Sequence, residues 1–149
     1  MLSKLWGNRN KLDKKKSSSD HIWLSFPMHP AYLSSARLTV FGIAKRLKFN
    51  LDEIEDIKTA VSEACVYVLK RSATLPGNNF EMCFKPGNQE VYIEIIAPDS
   101  KEGDDPAQLQ HSTDTGLIMI NALVDKFTIT KSKEGQITII ILKRRKGEA

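Results

Sequence analysis

With 149 residues, 41% of them hydrophobic, and a formal net charge of +4, the chain has the length of one domain with a sizeable core. No apolar run nears the ~20 residues needed to span a bilayer, and no apolar signal segment opens the chain, so a cytoplasmic protein is expected. Cys65 and Cys83 are too few for a disulfide framework and lie in no CxxC or Cys/His cluster, so two reduced core thiols are expected and no metal centre of that kind.

Residues 1–20 read as a disordered basic tail, in which Lys4, Arg9, Lys11, Lys14, Lys15 and Lys16 outweigh Asp13 and Asp20. Leu2, Leu5 and Trp6 are its apolar exception, able to dock weakly elsewhere. A basic C-terminal tail over residues 144–149 mirrors it and leaves 21–143 as the folded domain. Basic ends on a mildly acidic middle read as solvated segments, and no direct nucleic-acid partner is expected.

From His21 to Pro27, Ile22, Leu24 and Phe26 alternate as in a half-buried strand. His29-Pro30 turns into a helix over Ala31 to Lys48, with Leu33, Ala36, Val40, Ile43, Ala44 and Leu47 on its buried face. Arg37 lies off that face, directed to solvent or a partner. Asn50 and Glu53 form a capping-box pair at the start of a long central helix, Asp52 to Ala73. Its apolar stripe is Ile54, Ile57, Val61, Ala64, Cys65 and Val68. Beside the stripe run Ala60, Glu63, Tyr67 and Arg71, a flank that is able to wall a pocket.

Two alternating runs, Phe80 to Phe84 and Val91 to Ile95, flank the turn Pro86-Gly87-Asn88 as a β-hairpin. A polar loop follows, Ala97 to Asp114, long enough for a lid or binding segment. A short helix, Thr115 to Asp125, is capped by Asp114 or Thr113. Phe127, Ile129 and the run Ile137 to Leu142 make a last hairpin around Glu134-Gly135. The order implies an α+β two-layer sandwich: a mixed, mostly antiparallel sheet with helices on one face.

The stretch from Pro30 to Ser72, above all Glu-Ile-Glu-Asp-Ile-Lys-Thr-Ala-Val-Ser-Glu-Ala-Cys from Glu53 to Cys65, resembles the bacterial anti-sigma factors of the RsbW and SpoIIAB type. These are serine-protein kinases with the GHKL (Bergerat-like) ATPase fold shared by gyrase and histidine kinases. The resemblance implies ATP and magnesium as cofactors, a sigma factor and an anti-sigma-factor antagonist as partners, and a homodimer.

In that family the central helix carries Glu-Ala-x-x-Asn. The resemblance makes Glu63 the catalytic base, with a solvated glutamate as its plain alternative. Tyr67 occupies the position of the asparagine that holds magnesium; a phenol lacks the neutral amide oxygen of that ligand. The family's Asp-x-Gly motif corresponds to Asp99-Ser100-Lys101, so Asp99 is either the adenine anchor or a loop-capping aspartate, and Lys101 replaces the glycine. The glycine-rich phosphate motif corresponds to Thr113 to Ile118, in which Thr115, Gly116 and Leu117 would face phosphate. Asp114 would set a negative charge there, and tight helix packing is the other reading of Gly116. Arg37 matches the helix surface that meets protein partners. The reading that follows is an anti-sigma regulatory factor that binds a sigma factor or antagonist, its ATP binding weakened or lost. The alternative is an active serine-protein kinase that phosphorylates the antagonist.

Overall fold

Ile22, Leu24 and Phe26 pack inward from the first strand, β1 (Ile22–Pro27), in the computed structural model, which describes residues 20–71, 78–99 and 114–146. Residues 1–19 of the expected N-terminal tail, 147–149 of the C-terminal tail, the end of the central helix at Ser72 and Ala73 and most of the long loop, 100–113, lie outside the described residues.

After β1 the chain makes a short 3-10 turn, Pro30–Tyr32, where the His29 ring accepts a hydrogen bond from the Ala31 N–H at 3.1 Å. The first helix, α1 (Leu33–Arg46), begins only after this turn, two residues later than its pattern suggested. Ala36, Val40 and Ala44 are its buried residues, with Leu33, Ile43 and Leu47 packed against the core. Lys48 adopts a φ of 65°, the left-handed region in which helices commonly end.

The central helix, α2 (Leu51–Arg71), starts at the expected capping box. Asn50 Oδ1 accepts from the Glu53 N–H at 2.8 Å, and Glu53 Oε1 accepts from the Asn50 N–H at 3.0 Å. These bonds satisfy two donors that a helix start otherwise leaves open.

Two longer strands follow, β2 (Asn79–Pro86) and β3 (Glu90–Pro98), then a short helix, α3 (Thr115–Leu123), then β4 (Lys126–Lys131) and β5 (Gln136–Arg144). Asp114 is the N-cap of α3, its carboxylate accepting from the Leu117 N–H. Strand β5 extends to Arg144, and the Lys146 N–H donates to Glu53 Oε2 at 2.8 Å, so the chain end is tied to the start of α2.

The five strands form one sheet in the order β1-β2-β3-β5-β4, and every pairing is antiparallel. The expected parallel admixture is therefore absent among the described strands: β2–β3 and β4–β5 are hairpins, whereas β1–β2 and β3–β5 pair antiparallel with helices between them in the chain. One face of the sheet, with Phe80, Met82, Phe84, Ile93, Ile95, Ile139 and Ile141, packs with the stripe of α2 into a single core. The α+β two-layer arrangement with helices on one face is thus present. Cys65 and Cys83 are both free thiols and buried.

Candidate functional site

Glu63, Tyr67 and Arg71 follow one another at four-residue steps along α2, so their side chains line one flank, turn above turn. Alpha3 packs against that flank. Between the two helices lies a cavity of about 210 Å³, lined by Glu63, Tyr67, Lys70, Asp114, Thr115 and Gly116 among others. The central helix thus walls a pocket where its spacing suggested one.

Gly116 makes the close approach of the two helices sterically feasible. A Cβ at this position would stand 2.9 Å from Glu63 Oε2 and 3.1 Å from Asp114 Oδ1. Two carboxylates therefore converge on the first turn of α3. The Leu117 side chain is buried in the core, and its N–H is engaged by Asp114 Oδ1 at 3.2 Å. Thr115 is exposed at the cavity rim. An aspartate at a helix N-terminus is favourable for the helix and occupies the place where its dipole would otherwise attract an outside anion.

Asp99 is neither a simple loop cap nor among the residues that line the cavity. Its side chain is fully buried and held by a two-pronged contact: Arg71 Nε donates to Oδ1 at 3.0 Å and Nη2 to Oδ2 at 2.7 Å. Lys131 from β4 brings its Nζ to 3.3 Å from Oδ2. The Asp99 N–H donates to the Gly135 carbonyl at 2.7 Å, which fixes the backbone as well. Forked Arg–carboxylate contacts of this kind are directional and strong.

Tyr67 completes the arrangement. It is only 8% exposed, and its hydroxyl accepts from Arg71 Nη1 at 3.4 Å. Burial pushes its phenol pKa above the ordinary value, while the Arg71 charge pulls the other way. The neutral phenol therefore fills the turn of α2 between Glu63 and Arg71. Among the described residues, no group of three or more His, Cys, Asp or Glu side chains is arranged to hold a metal.

Arg37 of α1 is the residue expected to meet solvent or a partner. It is partly buried, and its Nη1 donates to Ser62 Oγ of α2 at 3.4 Å. It also lies near Cys65, whose thiol burial drives up to about 12, the Arg37 charge opposing that rise. Sequence reasoning placed Glu63, Tyr67 and Gly116 together but missed the pairing of Arg71 and Lys131 with Asp99. Arg71 stood on the same flank by spacing; nothing in the local sequence marks Lys131.

Residues 26–142 match the histidine kinase-like ATPase domain family. The chain is 30% identical over 148 residues to the serine-protein kinase RsbW of Bacillus subtilis, an alignment that covers 89% of this chain and 91% of that protein. It is 31% identical to RsbW of Bacillus velezensis, over 89% of this chain and 90% of the other. It is 33% identical to RsbW of Halalkalibacterium halodurans, over 70% and 72%. The two-layer fold, the helix-walled cavity and this similarity agree: the chain belongs to the histidine kinase-like ATPase family, among its RsbW-like members.

Proposed function

We propose that this protein is an anti-sigma regulatory factor that works by binding a sigma factor or its antagonist, with ATP binding weakened or lost. The observation that carries this reading is the burial of Asp99 under Arg71 and Lys131. An adenine amino group needs an accessible carboxylate oxygen, and here the Asp99 side chain is fully buried with both oxygens engaged by cations. Releasing Asp99 would leave a buried guanidinium without its partner, which is costly.

The side chain at the family's magnesium-ligand position also fits that role poorly. Magnesium prefers small oxygen donors in a near-octahedral shell, commonly carboxylates, phosphates and water. Tyr67 offers a protonated phenol engaged with Arg71. The cavity, about 210 Å³, is below the ~300–1,000 Å³ typical of small-molecule sites.

Isothermal titration with magnesium-ATP tests this reading: no saturable heat is expected at high micromolar nucleotide. Saturable binding together with phosphoryl transfer to a serine of an antagonist protein would overturn it in favour of the active kinase. That second reading draws support from Glu63 facing the same cavity as Thr115 and Gly116. For the binding role, Glu63→Ala is expected to leave partner capture intact, and Arg37→Glu to weaken it.

A further inference from the structure

A second concavity shares Val66 and Lys70 with the cavity between α2 and α3. Met28, Pro30 and Leu33 reach it from the chain between β1 and the first turn of α1, and Leu69 joins Val66 and Lys70 from α2. Met28, Leu33 and Leu69 are half-buried and packed against the core, so the same contacts that hold the fold hold the floor of this groove. The Met28 N–H donates to the Asn78 carbonyl at 3.1 Å, and Pro30 opens the 3-10 turn that the His29 ring caps. The groove is therefore preformed.

Its size and lining are those of a small-molecule site. The volume is about 480 Å³, inside the ~300–1,000 Å³ range that the first cavity falls short of. Apart from Lys70, every residue that lines it is apolar. Small-molecule sites of this kind combine an apolar body with a few polar groups that orient the ligand. Lys70 is such a group. It is exposed in the last turn of α2, and among the described residues its ammonium makes no hydrogen bond or ion pair. The neighbouring cation, Arg71, is by contrast committed to Asp99.

We propose that this groove binds a small amphiphilic anion, a medium-chain acyl carboxylate whose tail lies on Leu33, Val66 and Leu69 and whose head group meets Lys70. The complementarity has two parts. The apolar lining removes the tail from water, at about 25 cal/mol for each Å² buried. The Lys70 ammonium faces the carboxylate, while its methylene stem extends the apolar wall. Glu63 and Asp114 line only the first cavity, so no carboxylate among the groove's lining residues opposes the anion. Binding here does not depend on whether the cavity between α2 and α3 takes nucleotide.

Three methionines supply the readout in the full-length protein. Met28 lines the groove, Met119 lines the cavity between α2 and α3, and Met82 is buried in the core. With the methionine methyls labelled with carbon-13, octanoate is expected to shift the Met28 signal saturably and to leave Met82 in place. Lys70→Gln is expected to weaken octanoate about fivefold, the worth of one exposed ion pair, and to leave 1-octanol binding unchanged within about twofold. Octylammonium is expected to bind more weakly than octanoate. No saturable shift of Met28, a shift confined to Met119, or a joint shift of Met82 that marks detergent action overturns the proposal. So does an octanoate affinity indifferent to Lys70→Gln, or one exceeded by octylammonium. A Met28 signal that moves with protein concentration alone overturns it by assigning the groove to a second copy. One that moves with phosphatidylglycerol vesicles but not with octanoate overturns it by assigning the groove to a membrane surface.

Discussion

Arg71 and Asp99 are committed to each other, and that commitment has a measurable size. Arg71→Met leaves Asp99 buried with Lys131 still beside it. Breaking a buried pair costs about 3–5 kcal/mol, so a loss near the lower end is expected from urea unfolding. Replacing all three, Arg71→Met, Asp99→Leu and Lys131→Met, is expected to recover much of it, since the triple substitution removes the cations together with the carboxylate they face. The same contact bears on Tyr67. Tyr67→Asn alone restores the amide of the family motif but leaves Asp99 occupied, so it is expected to produce no magnesium-ATP binding by titration. Binding by that single variant would place the loss at one turn of α2. Cys65 makes a second residue-scale prediction. Its folded-state pKa is raised from 9.0 to about 12 by burial, so the folded form holds its proton where the unfolded form has lost it. Its contribution to stability is full below about pH 9 and declines from there up to about pH 12, by at most about 1.4 kcal/mol per pH unit. Tyr67 and Tyr92, both raised, add to the same alkaline slope. Urea midpoints from pH 8 to 11 are expected to fall above pH 9, and Cys65→Ala to flatten part of that fall. Spacing made the Glu63–Tyr67 flank legible, because one helix turn relates them. The Arg71–Asp99 bond joins residues 28 apart on different elements, and no local pattern encodes such a pair.

At the scale of single elements, the start of α2 is where local sequence and structure agree most closely. Asn50 and Glu53 exchange side-chain bonds at 2.8 and 3.0 Å, and the second Glu53 oxygen holds the Lys146 N–H. Asn50→Ala is therefore expected to cost about 1 kcal/mol in thermal or denaturant unfolding. A neutral result would mean that packing of the stripe alone holds the helix start. Where local signals fell short, a neighbour was the cause. The first helix begins at Leu33 rather than Ala31 because Pro30 and the His29 ring hold a 3-10 turn ahead of it. Strand β5 runs past the apolar alternation to Arg144 because β3 pairs with it as far as Glu90, and because Asp125 accepts from the Arg144 N–H at 2.7 Å. Hydrogen bonds supplied from across the sheet extend a strand that its own residues would have ended sooner.

For the whole molecule, the two hairpins and the helix order were readable from alternation and turn residues. How the hairpins join was not: β3 meets β5 over nine register pairs, Glu90↔Arg144 to Pro98↔Gln136, and β1 adds to the far side of β2. That seam decides which part of the sheet is hardest to open. Ile93, Ile95, Ile139 and Ile141 meet across it and are all fully buried beneath α2. Opening it removes ladder bonds on both sides of each strand and exposes this isoleucine cluster, so it requires an event close to global unfolding. Beta1 and β4, each paired on one side only, can detach with less exposure. Native-state hydrogen exchange is therefore expected to show the slowest amides in β3 and β5, with protection there approaching the global unfolding free energy. The amides of β4 are expected to exchange faster, through partial openings. The lysine at 131 lies in β4 and braces Asp99 from that edge. Arg71→Met removes the other cation, so it should leave the exchange order of the sheet intact while lowering all globally exchanging amides together. Selective loss of protection in β4 would instead show that the Asp99 cluster pins that edge strand to the rest of the fold.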